Sequence, residues 1–248
     1  MMERNEDMGP RTPAAYRLRS SGGMAGAAAK NAAPEPFQTD AAYTMKDRIG
    51  NWKARWDINR MNHTVRPGLY RLGHPDADAP VLVTANYRMS FDMLRRELDG
   101  RNLWILVLDT KGINVWCAAG KGTFGTNELV RRIRITGLAD FVRHRRLILP
   151  QLGASGVAAH EVRRQSGFSV AYGPVRAEDV PAYLDQGGKA TPAMRRVRFT
   201  TYDRLVLTPV ELVHAVKPLL LACGALFLLQ AAGLASTGRF ELTVLVAG

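Results

Sequence analysis

From residue 80 to residue 210, apolar runs of strand length take turns with segments of helical periodicity. No other feature of the chain constrains its fold as much. PVLVTANY (80–87) reads as a strand and FDMLRRELDG (91–100) as a helix ended by Gly100. LWILVLDT (103–110) is a buried strand, NELVRRIR and LADFVRHR are helical, and RLILPQL (146–152) is a strand again. GVAAHEVRRQSG (156–167) is a helix closed by glycine, FSVAYGPV (168–175) a strand, AEDVPAYLDQGG a helix and RRVRFT a short strand. Strands that are apolar throughout are buried on both faces. The alternation therefore predicts an α/β fold with a mainly parallel sheet covered by helices on both sides.

The flanks differ from this middle. Residues 1–40 hold eight Ala, four Gly, four Pro, one Leu and neither Val nor Ile. Such a stretch buries too little apolar surface to offset its ordering entropy, and it is expected to be disordered. Residues 41–79 form a lead-in. Within it, YTMKDRIGNWKARWDI (43–58) places Met45, Ile49, Trp52 and Trp56 at helical spacing, which predicts a helix on the domain surface. RPGLYRLG (66–73) reads as a turn and an extended approach to the first strand of the α/β domain, which covers 80–210.

From residue 211 the chain changes character. LLLACGALFLLQAAGLAS (219–236) is 18 residues without a charge, at the short end of the roughly 17–25 needed to span a bilayer. A first transmembrane helix is expected over about 217–236, and TVLVAG at the end reads as part of a second apolar run in a truncated membrane region. Arg195, Arg196, Arg198, Arg204 and Lys217 precede the apolar run and only Arg239 follows it. That bias puts the α/β domain on the cytoplasmic side of the cytoplasmic membrane. The alternative is a buried C-terminal helix.

The formal net charge of +12 suits nucleic acid, an anionic membrane surface or an acidic partner. Arg131, Arg132, Arg134, Arg143, Arg145 and Arg146 are the densest basic region. Without interleaved aromatics they argue against nucleic acid and for a solvated face, an anionic lipid surface or an acidic protein. Cys117 and Cys223 are 106 positions apart, so no disulfide framework, zinc site or cysteine-ligated cluster can be built from them within one chain. Cys117 is then a free thiol in a reducing compartment, and Cys223 an apolar membrane residue. His144 and His160 have no metal-ligand spacing and read as structural.

NVWCAAGK (114–121) is the stretch with chemistry in it. Asn114 is a good N-cap for a short helix from Val115, which would hold Cys117 in the first turn, where the helix dipole and Lys121 favour thiolate. Ala118, Ala119 and Gly120 leave that end of the helix bare. A flat, wide group such as a metal macrocycle could lie against it with the sulfur as nearest contact. The alternative is a small buried Cys117 beside a core Trp116. GKGTFG (120–125) matches G-x-G-x-x-G, but INVWCAA separates it from the preceding strand and the acidic residue of a dinucleotide site is missing. QLGASG (151–156) reads either as a cradle for a phosphate or as a glycine-rich turn.

NVWCAAGKGTFGT, together with RLILPQLGASGVAAH and SGFSVAYGPVRAED, resembles the mercury-methylating corrinoid protein family. That family is related to the large subunit of the corrinoid iron–sulfur protein of the acetyl-CoA pathway. The likeness runs from about residue 80 into the apolar tail. It implies a Rossmann-like corrinoid-binding domain, a cap helix at 114–121 (Asn114, Val115, Trp116, Cys117, Ala118, Ala119, Gly120 and Lys121), and Cys117 as the lower axial ligand of a cobalamin-type cobalt. Thr84 and Ser90 match the family's hydroxyl positions near the lower face of the corrinoid.

The activity implied is a membrane-anchored corrinoid-dependent methyltransferase that passes methyl to Hg(II). The partners implied are a methyl-folate-type donor or its methyltransferase, and a ferredoxin-like electron donor with two four-iron–four-sulfur clusters. The alternative is a methyl carrier of the acetyl-CoA pathway with another acceptor. The four-cysteine module and the additional barrel domain of such a carrier are missing from this sequence.

Overall fold

The structure, a computed structural model, describes residues 34–198 and 200–232. Six strands form one sheet: β1 (Phe37–Thr39), β2 (Gly68–Leu72), β3 (Val81–Ala85), β4 (Leu103–Leu108), β5 (Arg146–Leu149) and β6 (Ser169–Tyr172), in the order β1-β2-β4-β3-β5-β6. The helices are α1 (Met45–Arg55), α2 (Arg88–Arg96), α3 (Val115–Gly120), α4 (Thr126–Ile135), α5 (Leu138–Phe141), α6 (Ala159–Ser166), α7 (Val180–Asp185) and α8 (Thr201–Ala231).

Every strand pair is parallel except β2 with β4, where Gly68 faces Val107 and Leu72 faces Leu103. All residues of β3 and β4 are buried, as their unbroken apolar runs require. On one face Phe124, Leu129, Val162 and Phe168 pack over Leu106 and Leu149; on the other Phe91, Leu98 and Tyr183 pack over Ile105 and Leu82. Each such side chain removed from water contributes about 1.5–3 kcal/mol. The mainly parallel, doubly covered α/β sheet matches the expectation.

Within that sheet, β4-β3-β5-β6 repeats the order of a doubly wound fold of the 2-1-3-4 type. The chain leaves β3 to one side for β4 and returns to its other side for β5. The connections therefore part above the C-terminal ends of β3 and β5, opening a crevice where ligands bind in folds of this class.

Several expectations change. Phe37–Thr39, inside the stretch expected to be disordered, pairs in parallel with Tyr70–Leu72, and the lead-in supplies β2 to the same sheet; residues 1–33 of that stretch lie outside the described residues. LADFVRHR is helical only to Phe141, because Val142 turns extended and the Arg143 N–H bonds to Ala77 O at 2.9 Å. RRVRFT has no strand among its described residues. Its Thr200 instead caps α8, with Thr200 and Asp203 exchanging side-chain and backbone hydrogen bonds.

α8 consequently starts well before residue 217, and its segment Thr208–Ala231 is 24 residues, long and apolar enough to cross a membrane. Leu221 is 76% exposed and none of the segment is buried against the other described residues, so among them the buried-helix alternative has no packing partner. The second apolar run, TVLVAG, lies outside the described residues.

α1 lies on the surface as its periodicity predicts, with an inner face that is polar. Asp47, Asn51 and Ala54 are buried while Met45, Ile49 and Trp52 face out. Asp47 takes Arg88 at 2.7 Å and Arg95 at 2.9 Å, and Asp92, fully buried, takes Arg95 at 2.9 Å and Arg88 at 3.1 Å. His63 Nε2 donates to Asn51 Oδ1 at 2.7 Å. Burial opposes the charge of Asp47, but the Thr44 hydrogen bonds, the Arg88 hydrogen bond and the Arg95 charge prevail and hold its pKa at about 2. Burial keeps His63 below its ordinary value, against the attraction of the Asp92 charge.

Candidate functional site

A cavity of about 450 Å³ occupies the crevice between β3 and β5. Its floor comes from the strands and the segments after them, including Val83, Thr84, Leu149 and Pro150. One wall is α2, with Ser90 and Met93, and another is the start of α3, with Asn114, Val115 and Trp116. Five of the ten residues singled out in the sequence thus meet at one opening: Thr84, Ser90, Asn114, Val115 and Trp116. Thr84 is buried, and neither its hydroxyl nor that of Ser90 has a hydrogen-bond partner among the described residues. Unpartnered hydroxyls at a cavity are poised to bind a guest.

The other five divide between two sides of α3. Cys117, Gly120 and Lys121 point to solvent, and Trp116 is 61% exposed. The alternative of a small buried cysteine beside a core tryptophan is therefore set aside. Ala118 and Ala119 are buried, and their smallness serves the inside of the fold. A Cβ on Gly156 would strike the Phe124 carbonyl oxygen and stand 3.0 Å from Ala119 Cα, and one on Gly153 would strike the Phe124 ring at 2.6 Å. Two alanines and two glycines let the segment after β5 press against α3. On the outside only Gly120 is bare: nothing lies within 4 Å of where its Cβ would be.

α3 is short, and the sequence around it supplies what holds it. The Asn114 side chain accepts the Cys117 N–H at 2.9 Å, and the Lys121 N–H closes the other end on Cys117 O at 3.0 Å. Asn86, after β3, was not singled out in the sequence. Its Oδ1 accepts from Thr110 N at 3.0 Å and Gly112 N at 3.0 Å, and lies 2.8 Å from Thr110 Oγ1. This clamp sets the turn that delivers Asn114, and Lys111 and Gly112 take positive φ within it. An asparagine directly after a buried strand is the only sequence signal for it.

The glycine pattern 120–125 joins α3 to α4, two helices, so the strand-to-helix turn of a dinucleotide site is not what it forms. In QLGASG the amides of Gly153, Ala154 and Gly156 bond to Pro150 O, Gln151 O and Gly153 O, which makes it a packing turn and leaves those N–H groups unavailable to a phosphate. The rim of the cavity is charged and internally paired: Arg176 holds Asp203 at 2.7 Å and Glu178 at 3.3 Å, and Arg96 holds Glu97 at 2.6 Å. The Arg176–Asp203 pair ties the start of α8 to the site. Of the six clustered arginines, Arg131 and Arg132 engage Glu128, Arg143 engages Asp78, and Arg134 and Arg145 donate to backbone carbonyls. His144 bonds Ala79 O at 2.9 Å, a structural contact.

This arrangement can take a planar group over the Trp116–Gly120 surface, a donor atom from Cys117, and a polar appendage in the cavity beside it. The residues present therefore fit a corrinoid. Residues 58–184, just over half of the chain, match the family model of CdhD, the CO dehydrogenase/acetyl-CoA synthase delta subunit. The chain is 35% identical over 127 residues to acetyl-CoA decarbonylase/synthase complex subunit gamma of Methanopyrus kandleri, covering 50% of this chain and 27% of that protein. The same subunit of Methanocaldococcus jannaschii is 32% identical over 127 residues, covering 50% and 26%. That of Methanosarcina acetivorans is 27% identical over 127 residues, covering 50% and 27%. The chain thus spans about a quarter of the length of these relatives.

Proposed function

Because this chain belongs to the CdhD family of CO dehydrogenase/acetyl-CoA synthase delta subunits, we propose that it is a corrinoid-dependent methyl-transfer protein with Cys117 as lower axial ligand. The observation that carries this reading is the exposed Cys117 in the first turn of a capped helix, next to a cavity lined by two hydroxyls that have no partner among the described residues. Asn114 holds the backbone of that turn. Trp116 and bare Gly120 offer a flat surface, and Thr84 and Ser90 offer hydrogen bonds to polar groups entering the cavity. When bound, the corrinoid supplies a cobalt–methyl bond, and electron donation from a thiolate favours breaking it so that methyl keeps the bonding pair.

Two acceptors differ in where that pair goes: a synthase component would take methyl without it, and Hg(II) would take methyl with it. The relatives are named for an acetyl-CoA decarbonylase/synthase complex, and that supports a methyl carrier of the acetyl-CoA pathway more directly than any other reading. Hg(II) is the second acceptor, and two features of this chain favour it. A sulfur ligand suits transfer of methyl with its electron pair, which an electrophilic mercuric ion needs. α8 would also anchor the domain in the cytoplasmic membrane, with Arg195, Arg196, Arg198 and Arg204 keeping the α/β domain on the cytoplasmic side. In both readings a methyl-folate-type donor, or its methyltransferase, supplies methyl. Transfer to Hg(II) would leave cobalt two electrons short, and an iron–sulfur protein of ferredoxin type returns them.

The experiment loads the protein with methylcobalamin and offers Hg(II) and an acetyl-CoA synthase component separately. Methylmercury formed by the wild type and lost in Cys117→Ala supports the mercury reading. Methyl passed only to the synthase supports the carrier, and failure of the chain to bind cobalamin overturns both.

A further inference from the structure

We propose that the outward face of α1 is an interfacial surface that lies on an anionic bilayer beside the point where α8 enters it. The proposal rests on the reading of α8 as a membrane helix. The face consists of Met45, Ile49, Trp52, Trp56 and, just after the helix, Ile58 and Met61. Five of these are exposed: Met45 66%, Ile49 48%, Trp52 57%, Ile58 52% and Met61 61%. A soluble helix normally turns such residues inward. Here the inner face is occupied by Asp47 and Asn51, locked into the Arg88–Asp92–Arg95 cluster, so the apolar stripe cannot roll into the core without breaking buried ion pairs.

The cations are arranged around that stripe. At about 100° per residue, Lys46 and Lys53 flank it on one side and Arg48 and Arg55 on the other, each roughly 90° from its centre. Long basic side chains in that position keep their charges at headgroup level while the helix axis lies in the interface, and tryptophan is favoured at the same depth. Residues 45–61 hold five Lys/Arg and two Asp. Of the two, Asp47 is buried in its ion pairs, and Asp57 is engaged by Lys217 at 3.3 Å and His214 at 3.5 Å. The outward surface is thus basic and apolar together, which suits anionic lipid and does not suit a second copy carrying the same charge.

The Asp57 contacts also fix the level. Lys217 is the last charge before the uncharged run that begins at Leu219. The end of α1 therefore stands where the membrane helix leaves the aqueous side. Anchored at that height, the Trp52 stripe meets the interface, and α1 holds the domain in one orientation on the membrane rather than leaving it to swing on α8.

The test uses the full chain reconstituted in phosphatidylcholine vesicles, with and without phosphatidylglycerol, containing acyl chains brominated as quenchers. A fluorophore is placed at Trp52→Cys in a Cys117→Ala, Cys223→Ala background. Two further samples carry it at native Cys223 in Cys117→Ala, and at Arg163→Cys on α6, on the other face of the sheet. The proposal predicts quenching at positions 52 and 223, none at 163, and stronger quenching at 52 when phosphatidylglycerol is present. Lys46→Glu with Lys53→Glu should abolish that lipid dependence. Quenching at 223 without quenching at 52 overturns the proposal and leaves α1 to a protein partner. No quenching at either position overturns the membrane reading of α8 as well, whereas quenching at 52 alone keeps the surface and removes the span.

Discussion

The side chain of Asn114 accepts the backbone N–H of Cys117 at 2.9 Å, so the residue that begins α3 also fixes the turn from which the sulfur projects. Replacing Asn114 by Ala leaves that amide without its cap and should cost about 1 kcal/mol. Asn114→Asp keeps an acceptor oxygen and should cost less. Urea denaturation of the three proteins checks the order.

Gly120 separates a role in folding from a role in binding. Its Cβ direction is open, and a leucine there also gains helix propensity, so Gly120→Leu should leave stability unchanged or raise it by up to about 0.8 kcal/mol. The same side chain would stand up from the surface proposed to carry the corrinoid. Cobalamin affinity, followed by its visible absorption, should fall at least tenfold while the denaturation curve does not shift downward.

Gly156→Ala makes the opposite case. The added methyl would strike the Phe124 carbonyl oxygen first and then the Ala119 backbone, neither of which is flexible, and should cost about 1–3 kcal/mol. Because the push falls on the segment that follows α3 and on Ala119 within that helix, cobalamin binding should weaken too, and thermal melting with a binding titration measures both losses together.

The cluster under α1 gives a pH dependence with a defined sign. The folded pKa of Asp47 is lowered from 3.8 to about 2. Its contribution is therefore fully present above pH 3.8 and is lost as pH falls from there towards 2. The shift corresponds to on the order of 2 kcal/mol. Asp47→Asn should be less stable than wild type at neutral pH, and the difference should shrink across that acid window. Chemical denaturation at stepped pH tests it.

The strands β3 and β4 were legible because both faces of each are buried, and a run such as LWILVL has no other soluble use. The helix α1 was legible from its spacing, but the direction it faces was not. Periodicity locates a stripe, and here the buried stripe is held by ion pairs that hydropathy does not register. β1 escaped notice because three residues, FQT, form a strand only when an existing edge is offered. RRVRFT shows the converse: its alternation suits a strand, yet Thr200 and Asp203 make a capping box that starts a helix instead. At the site, Cys117 and its cap were visible in NVWC. The cavity that joins Thr84 and Ser90 to α3 was not, since it exists only where the connections after β3 and β5 part, and that depends on strand order.

The measurement that bears most directly on the central claim is X-ray absorption at the cobalt edge of the protein loaded with cobalamin. The account predicts one sulfur neighbour in the wild type and its loss in Cys117→Ala, whose exposed site leaves the fold intact. A first coordination sphere of nitrogen and oxygen alone, identical in the two proteins, would contradict it.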